Sequence, residues 1–216
     1  MAEQPTWPAP PASGAARARR PQKRSGERRA EILEAAMAVF GEKGYAGGSL
    51  ADIADRVGMT HGGVLHHFGS KEQLLIALLQ YRDDADVVEL DGSTAPHGAA
   101  LLTHLADTVE RNQSRPGIIQ AYSVLLGESV TDSHPARAFF TERFAGLRAM
   151  VADAIADATA RAASDPDVTA AANAVIGTMD GLQEQWLLEP SAVDMRRSVE
   201  LVLSSLVRHL SNDHSC

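Results

Sequence analysis

Residues 50–75, LADIADRVGMTHGGVLHHFGSKEQLL, read as two short helices joined by a tight turn, with a cap that opens a third. Leu50, Ile53, Ala54 and Val57 recur at helical spacing, and Ser49 with Asp52 has the spacing of a capping box at the front of that helix. Gly58 supplies the turn, Thr60 caps a second helix over 61–67, and Val64, Leu65 and Phe68 give it apolar mass. Ser70-Lys71-Glu72-Gln73 is a second capping box, followed by Leu74, Leu75, Leu78 and Leu79, which predicts a helix reaching about Val88. A helix, a glycine turn and a second short helix can seat that second helix in a DNA major groove.

Working outward, Ile32, Leu33, Ala36, Val39 and Phe40 form an apolar stripe that predicts a preceding helix over 27–43, ended near Gly41 and Gly44. Residues 1–24 are rich in Pro, Ala and Arg without an apolar period, and read as a disordered basic arm containing Trp7. Downstream, prolines and caps punctuate five further helices at about 97–112, 116–130, 135–163, 166–188 and 192–210. Asp165-Pro166 opens the fourth of these, and Ser191 with Asp194 is expected to cap the last. No stretch alternates as a strand does, so the expected fold is all-α with about nine helices. It divides into the arm (1–24), a three-helix helix-turn-helix domain (25–72) and a helical body (73–216).

Charge separates the two ends. Residues 1–71 carry ten Lys/Arg against seven Asp/Glu, whereas 72–216 carry ten against twenty-one, so the net charge of −8 hides a basic front on an acidic body. That layout suits a polyanion held at one end. The N-terminus lacks the apolar run of a signal peptide, no segment approaches a membrane span, and the single cysteine is Cys216. The expected location is the cytoplasm, in association with the nucleoid.

In a helix-turn-helix the exposed N-terminal residues of the second helix lie nearest the bases. The candidate DNA-binding residues are therefore Thr60, His61, Gly62, Gly63, His66 and His67, with Arg28, Ser49 and Lys71 placed to reach the backbone. Gly62 and Gly63 each cost the helix about 1 kcal/mol, which close approach to DNA would explain. A lysine in the first turn of a helix opposes the helix dipole, so Lys71 makes sense as a phosphate clamp. No cysteine or His-Glu-x-x-His pattern accompanies the three histidines, so neither a metal nor a cofactor is expected. Gly127-Glu128-Ser129 does not match a nucleophile elbow, and the chain is not expected to be an enzyme.

Residues 28–75, RRAEILEAAMAVFGEKGYAGGSLADIADRVGMTHGGVLHHFGSKEQLL, resemble the DNA-binding domain of the TetR family of bacterial transcriptional regulators. The specific end of that signature is Gly58, Gly62, His67-Phe68 and Lys71. The resemblance implies an all-helical homodimer whose heads bind a palindromic operator and whose bodies hold a small effector that releases DNA. It further implies phosphate contacts from Ser49, Thr60, His67 and Lys71, and base reading by His61. The chain departs from the pattern at Leu65, where the family usually has a phosphate-binding tyrosine, and at Gly63, where a threonine, serine or alanine is usual.

An effector cavity is expected between body helices, with Tyr122, Leu126, Phe140, Phe144, Met150, Met179, Gln183 and Trp186 as candidate lining residues. Few basic residues fall among these, which favours an apolar effector that is neutral or cationic. Val175, Ile176, Met179, Leu182, Val199, Leu203, Leu206 and Val207 are candidates for a dimer seam or for the core of one subunit. The leading function is a repressor released from its operator by a small molecule. An activator, or a regulator that needs its ligand to bind DNA, has the same sequence features. A helical protein-binding adaptor and an enzyme are the more distant alternatives.

Overall fold

The computed structural model describes residues 15–88 and 96–212, with side chains described for 25–83 and 96–212. Among these residues the chain forms nine helices and no strand: α1 (Ala15–Gly47), α2 (Leu50–Arg56), α3 (His61–Phe68), α4 (Lys71–Val88), α5 (Ala99–Asn112), α6 (Pro116–Ser129), α7 (Arg137–Thr159), α8 (Pro166–Leu188) and α9 (Met195–Asn212).

α1 starts at Ala15, well before the expected Glu27, so residues 15–24 are helical where a disordered arm is expected. Ala and Arg dominate 15–20 and are among the strongest helix formers, so they extend the helix that the core anchors from Ile32 onward. Trp7 and the rest of 1–14 lie outside the described residues. Near the other end Gly44 takes φ 70°, ψ 174°, and kinks α1 before Tyr45.

The expected caps form at four of the five helix starts. Ser49 Oγ accepts from the Asp52 amide and Asp52 accepts from the Ser49 amide, which completes the box on α2. Thr60 Oγ1 accepts from the Gly63 amide at 3.1 Å, and Ser70 Oγ from the Gln73 amide at 3.0 Å. Asp165 caps α8 through the Asp167 amide, with Pro166 in the first turn. At α9 the cap is Asp194, which accepts from the Arg197 amide, and not Ser191, which lies in the turn after Pro190.

Two apolar cores follow. The first joins α1 to α4 around Phe40, Ile53, Leu74 and Leu78, and takes in Tyr122 and Leu125 of α6 and Phe140 of α7. The second joins α5, α7, α8 and α9 around Leu101, Val109, Ile155, Val175 and Met195. Val175, Ile176, Val199 and Leu203, four of the candidate seam residues, are buried within this second core, so one subunit already covers them. No helix among the described residues is long and apolar enough to cross a membrane.

Candidate DNA interface and effector cavity

The head presents the N-terminus of α3 to solvent. His61, Gly62 and His66 are exposed, and Thr60, also exposed, keeps its hydroxyl proton free of the cap it makes. A Cβ at Gly62 would meet nothing within 4 Å, so nothing in the protein itself requires glycine there. At Gly63 a Cβ would lie 3.0 Å from Met59 Cε, the far end of a flexible side chain. Val64 and Phe68 turn inward, and Leu65 packs half-buried against the first core, which accounts for an apolar residue at that position.

The cations around α3 play different parts. Arg29 is structural: its Nη1 donates to the His67 carbonyl at 2.8 Å, and its guanidinium lies 4.0 Å from the Phe68 ring centroid. Arg28 is exposed and paired with Glu31 at 2.6 Å. Lys71 makes no hydrogen bond or ion pair among the described residues. Its ammonium sits 4.4 Å from the Tyr45 ring centroid and 5.9 Å from that of Phe40. Partial burial lowers the Lys71 pKa, and the nearby Glu128 carboxylate acts in the opposite sense. A cation held against aromatic rings without a carboxylate partner has its donors available to an incoming anion.

Ser49 is less available. Its hydroxyl donates to Asp52 Oδ2 at 2.6 Å, and Lys43 meets the other Asp52 oxygen at 2.7 Å. These bonds, Lys43's first, bring the Asp52 pKa down to about 2. A phosphate contact from Ser49 requires its bond to Asp52 to break. His67 is half-buried, its ring near those of His66 and Phe68. No group of three or more His, Cys, Asp or Glu among the described residues could hold a metal ion.

In the body, a cavity of about 250 Å³ opens between α4, α5, α6, α7 and α8. Tyr122, Met150, Met179 and Gln183 lie on its wall. The other four candidates do not. Phe140 is buried behind Tyr122, its ring edge-on at 5.5 Å, and Leu126 packs on the first core. Phe144 lies against both cores, and Trp186 packs on the second.

The wall also carries four charged residues absent from the sequence expectation: Arg82, Asp83, Arg143 and Asp180. Arg82 Nη1 donates to Asp83 at 3.1 Å, and Arg143 Nη1 pairs with the second oxygen of the same carboxylate. Both guanidiniums lie over the Tyr122 ring, at 4.5 and 5.6 Å from its centroid. The expectation of few basic residues at the cavity is therefore corrected. A signal was present at Arg82, which continues the stripe Leu75, Leu78, Leu79 by three and four residues and so had to point inward. Desolvation raises the Asp180 pKa to about 6, against the opposing pull of Arg143 and Arg82 and with a smaller rise from Glu184.

A head that offers one helix end with a cation beside it, on a helical body with a mainly apolar cavity that carries a few charged side chains, is the layout of a DNA-binding regulator. Residues 32–78 match the model of bacterial regulatory proteins of the tetR family, and residues 98–211 match the C-terminal model of BetI-type transcriptional repressors. The chain belongs to the TetR family and is a transcriptional regulator. It is 29% identical over 206 residues to the probable HTH-type transcriptional regulator ArpR of Pseudomonas putida, covering 84% of this chain and 90% of that one. Its fold is similar to that of SmeT in complex with triclosan, with a TM-score of 0.67 and 21% identity over 85% of this chain and 91% of that one. It is also similar to FadR of Bacillus subtilis in complex with stearoyl-CoA, with a TM-score of 0.65 and 20% identity over 82% and 96%.

Proposed function

We propose that the protein is a homodimeric repressor that binds a palindromic operator through Thr60, His61 and Lys71, and leaves it when a small molecule fills the cavity between α4 and α8. The observation that carries this reading is that α4 serves both sites. Lys71 stands in its first turn beside the recognition helix, and Arg82 and Asp83 stand about three turns later on the cavity wall. A molecule that moves the cavity end of α4 also moves the phosphate clamp. Structural relatives crystallised with triclosan and with stearoyl-CoA agree with a body that holds small molecules. Exposed Leu188 on α8 and Leu201 on α9, at 87% and 66% exposure, suit a subunit interface on those helices. As an operator-bound regulator it would work in the cytoplasm, on the nucleoid.

Selection of binding sites from a random double-stranded DNA pool tests the reading. Recovery of one palindrome with half-sites one or two turns apart supports a dimeric reader. Enrichment of a single unpaired half-site, or of nothing by a folded protein with and without candidate effectors, overturns it.

A further inference from the structure

The charged part of the cavity wall is uneven. Arg82 and Arg143 share the Asp83 carboxylate and lie over Tyr122, so both cations already have an anion and a ring. Asp180, half-buried, makes no hydrogen bond and no ion pair among the described residues. The wall around it is mainly apolar, including Leu101, Leu105, Leu147, Val151 and Ile176. A carboxylate partly withdrawn from water, with no donor from the protein, favours a group that supplies one.

Charge balance narrows what that group can be. Two guanidiniums and two carboxylates leave the wall neutral when Asp180 is ionised. A cation or an anion entering so small a space would break that neutrality. An uncharged molecule that brings one acidic hydrogen-bond donor restores Asp180's missing bond and preserves the balance. We infer that the effector is an uncharged, largely apolar molecule whose hydroxyl group, phenolic or alcoholic, donates to Asp180. This inference rests on the reading of the cavity as the effector site. Desolvation, the largest cause of the raised Asp180 pKa, agrees with a carboxylate that lacks a donor. The titratable groups facing it are Arg82 and Asp83 on α4, His104 on α5, Tyr122 on α6, Arg143 on α7 and Glu184 on its own helix.

Four matched probes test it by calorimetric titration of the full-length protein at neutral pH: β-naphthol, its methyl ether, naphthylmethylamine and naphthoate. A hydrogen bond to a carboxylate should make naphthol bind at least about tenfold tighter than the ether, which has the same shape and no donor. In Asp180→Leu that preference should shrink to about twofold or less while the ether still binds, and Asp180→Asn, which keeps an acceptor oxygen, should retain part of it. Retained binding of the ether shows that the leucine variant is folded. Equal binding of naphthol and ether by the unaltered protein, or a preference that survives Asp180→Leu, overturns the role of Asp180. Tighter binding of the amine overturns the uncharged class. So does tighter binding of naphthoate, which would match Asp180 taking up a proton to balance an anion. Binding of no probe by protein that still binds its operator instead overturns the cavity as the effector site.

Discussion

A carboxylate that folding partly withdraws from water without giving it a partner makes the folded state hold its proton more tightly. The Asp180 pKa rises from the ordinary 3.8 to about 6. Across that interval the folded chain keeps a proton that the unfolded chain has lost. Stability from this group is therefore highest below the unfolded pKa and falls as pH rises, reaching a full cost of about 3 kcal/mol above the folded value. Asp180→Asn should accordingly stabilise the protein by up to about 3 kcal/mol at mildly alkaline pH, with the gain fading toward the unfolded pKa. Urea unfolding of both proteins at several pH values checks this, and a pH-independent difference would refute it. At Gly62 the expectation divides between stability and function. With open space where its Cβ would stand, Gly62→Ala should stabilise the head by up to about 1 kcal/mol through helix propensity. The same methyl should weaken operator binding if the α3 backbone lies against the DNA. Thermal melts and gel-shift titrations of this one variant separate the two effects.

Between elements, the joint of head and body is made at the kinked end of α1. Glu128 of α6 accepts the Tyr45 amide at 2.7 Å, Gln120 donates to the Gly41 carbonyl at 3.2 Å, and Ala121 packs against Gly41. Gly44 is pinned there twice. Its φ is positive, and a Cβ would fall 2.2 Å from Glu128 Oε1. Gly44→Ala should cost about 1–3 kcal/mol in a denaturant titration. Glu128→Ala, which leaves the Tyr45 amide without its acceptor, should cost about as much, whereas Glu128→Gln should cost less because it keeps an acceptor oxygen. At this scale the sequence was most readable where chain chemistry is local. Prolines and Asx or Ser/Thr caps marked the starts of α2, α3, α4, α6 and α8, because each acts within one turn. It was least readable where distant residues decide. Asp194 and Ser191 are both competent caps, and only the turn after Pro190 selects Asp194. Met179 and Gln183 share a face on the cavity, but the same stripe carries Trp186 past its end onto the second core. Arg143 was missed because its partner, Asp83, is sixty residues away in sequence.

Across the whole molecule, a basic head on an acidic body confines the attraction for DNA to one end. Salt dependence reports it. Lys71→Ala should weaken binding to all DNA sequences alike and lower the slope of log affinity against log salt by about one for each subunit's lost phosphate contact. Removal of residues 1–24, which include five arginine or lysine residues, should also weaken binding and flatten that slope. An unchanged slope would show that neither the lysine nor the arm touches the backbone.

The α4 helix carries a consequence for how such a regulator would behave in a cell. One rod cannot hold its first turn against DNA and yield at its far end to an effector without each site opposing the other. If the effector lowers operator affinity by some factor, the operator lowers effector affinity by the same factor. A dissociation constant measured on the free protein therefore understates the concentration needed to empty an occupied promoter. Extra operator copies would raise the threshold of induction with no change in any side chain.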